Sequence, residues 1–121
     1  MIKNKTGVWG ELFAARYLRD NGYTILTSNY VCRFGELDIV AKKNGKIFFV
    51  EVKTRNKDTA ISPMEAVDIH KRSRLEAAAK AFMSHMKFDC EMQFDVCEVF
   101  LDDNMKLSDI NYIGNAFQEI F

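Results

Sequence analysis

Asp38 is followed thirteen residues later by Glu51, and Glu51 two residues later by Lys53. Two carboxylates can hold a hard divalent cation such as Mg²⁺ or Mn²⁺ through oxygen, and an amine beside them can hold a phosphate or orient a water. Whether the three meet depends on the chain between them. Glu36–Lys42 alternates apolar and polar residues, as does Lys46–Thr54, and Asn44-Gly45 between them is the signal of a tight type I′ hairpin. A two-residue turn pairs Lys43 with Lys46, which places Asp38 opposite Glu51 and Glu36 opposite Lys53. Like charges directly opposite one another on a ladder repel, so the pair needs positive charge nearby. Lys53 is one source and a divalent cation is the other. The plain alternative is a half-exposed strand face with solvated charges and a Glu36–Lys53 cross-strand pair. A slip of one residue would turn every side chain to the other face.

A further carboxylate lies upstream. Thr6 as N-cap and Gly22 as C′ residue bracket a helix over about 7–21. At 100° per residue, Val8, Glu11, Leu12, Ala14, Ala15 and Leu18 fill one arc, so Glu11 sits inside an apolar stripe. Carboxylates are rarely buried unless paired or metal-bound. Glu11 therefore either lies at the sheet edge beside an Arg or adds a third acid to a metal site. Trp9, Phe13 and Tyr17 form a second arc suited to packing or an interface. Tyr23–Ser28 reads as a strand, and Asn56–Ile61 as a polar loop. Ser62-Pro63-Met64-Glu65 is a capping-box start to a long helix ending near His85. Glu91–Leu101 reads as a fourth strand, Asp109–Ile113 as a fifth, and Asn115–Phe121 as a short terminal helix. The order is αβββαβ(β)α, an α/β arrangement with a mixed central sheet flanked by helices.

The chain has 121 residues, 48% hydrophobic and 28% charged, which suits one domain over residues 1–121 and argues against disorder. No apolar run approaches the ~20 residues of a membrane span, and Met1–Lys5 lacks the apolar stretch of a signal peptide. Cys32, Cys90 and Cys97 form no CxxC pair and suit a reduced, cytoplasmic compartment. Seventeen basic and seventeen acidic residues cancel, which weighs against a nonspecific nucleic-acid coat. The cancellation is uneven. Residues 1–57 carry eleven Lys and Arg against five Asp and Glu, whereas residues 89–121 carry one against eight. This is either ordinary solvated surface or a basic, anion-binding face backed by an acidic one.

The longer strings Gly10-Glu11, Tyr17-Leu18, Gly22-Tyr23, Gly35–Ala41 (GELDIVA), Phe49–Arg55 (FVEVKTR), Glu65-Ala66-Val67, Lys71, Arg74 and Phe94-Asp95-Val96 resemble the YraN family of uncharacterised bacterial proteins over nearly the whole chain. Asp38 with Glu51-Val52-Lys53 resembles the signature of the PD-(D/E)XK nuclease superfamily, and the set is similar to archaeal Holliday-junction resolvases. The resemblance implies a restriction-endonuclease-like fold. It also implies a Mg²⁺- or Mn²⁺-dependent nuclease hydrolysing DNA phosphodiester bonds, on branched or single-stranded DNA, with DNA favoured over RNA. Asp38, Glu51 and the Val52 carbonyl would ligate the metal, and Glu11 would complete the site directly or through water. Lys53 would orient the attacking water or hold the scissile phosphate, kept charged by the carboxylates around it. Arg55, Lys57, Lys71 and Arg74 are either contacts to flanking phosphates or plain surface charge. By analogy with the resolvases, a homodimer is expected. Three positions depart from the family: Gln93 replaces an arginine, Val31 replaces an arginine that Arg33 follows, and a glycine is missing near Ile61-Ser62. The other class of function is a noncatalytic nucleic-acid-binding or complex-assembly module that keeps the fold.

Overall fold

The computed structural model describes residues 5–56 and 69–117. Within them the order is α1 (Lys5–Asp20), β1 (Thr24–Cys32), β2 (Gly35–Lys43), β3 (Lys46–Asn56), α2 (Ile69–His85), β4 (Met92–Leu101) and β5 (Leu107–Ile113). The five strands form one mixed sheet in sequence order, with antiparallel neighbours except for the parallel pair β3–β4. A parallel pair needs a crossover, and α2 lies within it. The capping box at Ser62–Glu65 and the loop from Lys57 onward lie outside the described residues.

Helix α1 stops where expected. Gly22 N–H donates to Arg19 O and Tyr23 N–H to Leu18 O, the paired bonds of a Schellman close. Its start differs from expectation, because Thr6 lies inside the first turn rather than capping it. The buried face also differs. Gly10, Ala14 and Leu18 are buried, whereas Val8 and Leu12 are exposed. The close approach of Gly10 to β3 explains this shift. A Cβ built on Gly10 would lie 1.9 Å from Thr54 Oγ1, so only a bare α-carbon lets the helix rest on that strand.

The hairpin follows the sequence closely. Asn44 and Gly45 both take positive φ, 52° and 75°, as a type I′ turn requires, and Lys43 pairs with Lys46. Alternation along β3 then divides the core. Ile47 and Phe49 join Leu75, Ala78, Ala79, Phe82 and Met83 of α2 on one face. Phe48 and Val50 join Ala14 and Leu18 of α1, with Cys97 and Val99 of β4, on the other. Strand β3 is thus covered by a helix on each side and by a strand along each edge. The expected terminal helix is a turn over 114–117, and its remainder lies outside the described residues. Phe117 in that turn stacks on Phe94, their ring centroids 4.9 Å apart.

Candidate functional site

The β2–β3 register holds from Lys43–Lys46 to Ile39–Val50 and pairs no further. Asp38 therefore does not face Glu51 across a ladder, nor Glu36 face Lys53. Instead the Val52 N–H donates to Asp38 Oδ2 at 2.9 Å. A side-chain oxygen takes the place of a backbone carbonyl at the point where pairing ends. Asp38 is 9% exposed, and its position is fixed by that bond.

The same parity that sends Phe49 toward α2 sends Glu51 and Lys53 after it. There they meet Lys71, near the start of the described part of α2. Lys71 Nζ stands 3.4 Å from Glu51 Oε1. Burial raises the Glu51 carboxyl to about 7, and the charge of Asp38 pushes the same way against the pull of Lys71 and Lys53. Lys53 is pulled both ways. Burial, together with the hydrogen bond and charge of Lys71, pushes it below the usual lysine range despite Glu51 and Asp38. For Lys71 burial acts against the charge, but the hydrogen bonds with Lys53 and Glu51 and the pull of both acids raise it. Two carboxylates and two amines thus form one electrostatic unit. Asp38 and Glu51 also line a cavity of about 10 Å³, near the size of a single water, with Leu75, Phe94 and Phe117 among its walls.

The other residues singled out in the sequence lie elsewhere. Glu11 lines a groove of about 520 Å³ between α1 and the rim of β1 and β2, in company with Leu12, Arg19, Val31 and Glu36. Among the described residues, no three His, Cys, Asp or Glu side chains stand close enough to share one metal ion. The structure therefore brings together Asp38, Glu51 and Lys53, adds Lys71, and leaves Glu11 outside metal-sharing distance. Arg55 Nε donates to Glu98 Oε2 at 3.1 Å, and Glu98, 4% exposed, also accepts from Asn111 Nδ2 at 2.8 Å. Arg74 is exposed, and Lys57 lies outside the described residues.

Two features escaped sequence reasoning. Glu98 was hidden in the apolar string of β4, although the parallel register sets it beside Lys53. Asp95, 1% exposed, accepts from Gln93 Nε2 at 2.7 Å, Tyr112 O–H at 2.5 Å and Asn115 N–H at 3.0 Å. Three donors on one buried carboxylate offset its desolvation, and their spacing spans two strands and a turn. Burial first, and then the bond to Asp95, raises the Tyr112 phenol well above its ordinary range. The one available signal was an acid set in the run Phe94-Asp95-Val96.

Residues 10–99 match the uncharacterised protein family UPF0102. The chain is similar to a UPF0102 protein of Syntrophomonas wolfei, 44% identical over 96% of this chain and 100% of that one. It is also similar to UPF0102 proteins of Clostridium acetobutylicum (42% identical, 97% of each chain) and of Caldanaerobacter subterraneus (39% identical, 95% of this chain and 96% of that one).

Proposed function

The chain belongs to the uncharacterised protein family UPF0102, and from its four-residue cluster we propose that it is a metal-dependent nuclease of the PD-(D/E)XK type, acting on DNA. The observation that carries this reading is the convergence of Asp38, Glu51, Lys53 and Lys71 where the β2–β3 ladder ends. Charges of this kind are costly to gather in a half-buried place, and perturbed groups in such a place mark working sites.

The donor set fits a magnesium-like ion. Such ions bind through one or two carboxylates and keep waters and substrate phosphates as their other ligands. Asp38 and Glu51 supply two hard carboxylates, and a bound cation would offset both the burial and, after it, the repulsion from Asp38 that raise Glu51. When bound, the cation would neutralise phosphoryl charge and make a water more acidic. The chain's own residues do the rest. Asp38 is fixed by the Val52 N–H, so its carboxylate is held in place before anything binds. Lys53 rides on β3 beside Glu98 and offers its amine to the scissile phosphate or to the attacking water. Leu75 of α2 packs in the core beneath the cluster and walls the small cavity beside Asp38 and Glu51.

The test is hydrolysis of labelled junction, flap and linear DNA by pure protein with Mg²⁺ or Mn²⁺, beside Asp38→Ala. Metal-dependent cleavage lost in the variant supports the proposal. Equal inertness of both on every substrate overturns it. DNA binding that weakens linearly in log–log terms as salt rises, with no cleavage, would instead indicate the noncatalytic binding module.

A further inference from the structure

We infer that Lys71 is the resident counter-ion of the Asp38–Glu51 pair: its ammonium and a divalent cation contend for Glu51, and entry of the cation frees Lys71 to meet the substrate's phosphate. The inference rests on the reading of Asp38 and Glu51 as cation ligands.

Geometry sets the contest. Lys71 Nζ lies 3.4 Å from Glu51 Oε1, within ion-pair reach of an oxygen that a metal would use. Charge-assisted N–H to carboxylate bonds at their best are about 2.7–2.9 Å, so this contact is one that can be given up. A divalent ion on the same carboxylate would repel an ammonium at that distance, so the two do not share it.

The two lysines differ in what they can do about that repulsion. Lys53 sits in the middle of the β3–β4 ladder, paired with Glu98, and its backbone cannot withdraw. Lys71 stands on a helix, with 35% of its side chain exposed and a four-carbon stem of free torsions. The ammonium that yields is therefore that of Lys71. Turned away from Glu51 but still rooted beside the cluster, it lies within reach of an anion bound there.

Calorimetric titration with Mn²⁺, without nucleic acid, tests the contest in wild type, Lys71→Gln and Lys71→Arg. Removing the competing charge should tighten Mn²⁺ binding by about two- to fivefold in Lys71→Gln, the scale of a part-exposed ion pair. Lys71→Arg should bind no tighter than wild type. Lys71→Met, which keeps the apolar stem, gives the same reading if the Gln variant fails to fold. With Mn²⁺ saturating, inorganic phosphate should bind several-fold more weakly to Lys71→Gln than to wild type; equal phosphate affinity overturns the second half of the inference. Mn²⁺ binding by wild type that is unchanged or weaker in the folded neutral variants overturns the contest and leaves Asp38 and Glu51 as ligands. Absence of Mn²⁺ heat from every folded protein overturns both.

Discussion

Glu51→Gln is expected to make the protein more stable than wild type at about pH 8.5 in metal-free buffer, and to leave it close to wild type near pH 4.5. The sign follows from proton linkage. Glu51 takes up its proton at about 7 in the folded chain, against an ordinary value of 4.5. Between those values the folded state binds more protons than the unfolded one, so stability falls as pH rises. The favourable contribution is complete below 4.5 and is lost as pH passes through about 7. At 1.36 kcal/mol per pKa unit the loss across that window comes to about 3 kcal/mol. For a chain of 121 residues that is roughly 10 °C in Tm. The Glu51 side chain is only 14% exposed, so solvent screening removes little of this. Glutamine has nearly the same shape and cannot ionise, so it does not feel the repulsion of Asp38. The measurement is thermal and urea unfolding of both proteins with EDTA at the two pH values. The difference between the proteins removes what the other titrating groups contribute. A gap independent of pH, or a Gln variant less stable than wild type at pH 8.5, would refute the reasoning.

Tyr112→Phe removes the hydroxyl that donates to buried Asp95 at 2.5 Å and should cost about 1.5–3 kcal/mol in urea unfolding. A loss below about 0.5 kcal/mol would mean that Gln93 and the Asn115 N–H suffice for that carboxylate. Gly10→Ala should destabilise by about 2–3 kcal/mol, because its methyl would lie 1.9 Å from Thr54 Oγ1 and 2.9 Å from Thr54 Cβ. Adding Thr54→Ala removes the oxygen and should recover part of that loss; strictly additive effects in the double-mutant cycle would show that the two residues do not clash.

The parts of the fold that local chemistry dictates were legible in the chain. Asn44-Gly45 set the turn, the turn set the register from Lys43 to Ile39, and alternation set which face each β3 side chain takes. Gly22 marked the end of α1 because the closing bonds need a chain that can turn there. What could not be read depends on contacts between distant segments. Extrapolating the ladder past Ile39 failed because Asp38 itself accepts the Val52 N–H. The wheel of α1 gave the spacing of Glu11 but not which rim of the sheet it meets, and Gly10 rotated the buried face away from Val8 and Leu12. Lys71 was visible only as one basic residue among several, since its place beside Glu51 depends on how α2 lies across the sheet. The neutral total charge likewise concealed a cluster in which two acids and two amines balance locally.

The parallel register of β3 with β4 joins residues 47–56 to residues 92–101. Everything before it can form by neighbour-to-neighbour closure, since β1, β2 and β3 follow one another as hairpins. The β3–β4 pairing cannot, because α2 lies within the intervening chain and a long segment must close before β4 can meet β3. A chain still emerging from its ribosome and cut short before Met92 would own the acid-bearing hairpin, yet would carry Ile47–Val50 along an open, apolar border. Until synthesis passes that point, the nascent protein has most of its chemistry and little of its protection from sticking to others of its kind.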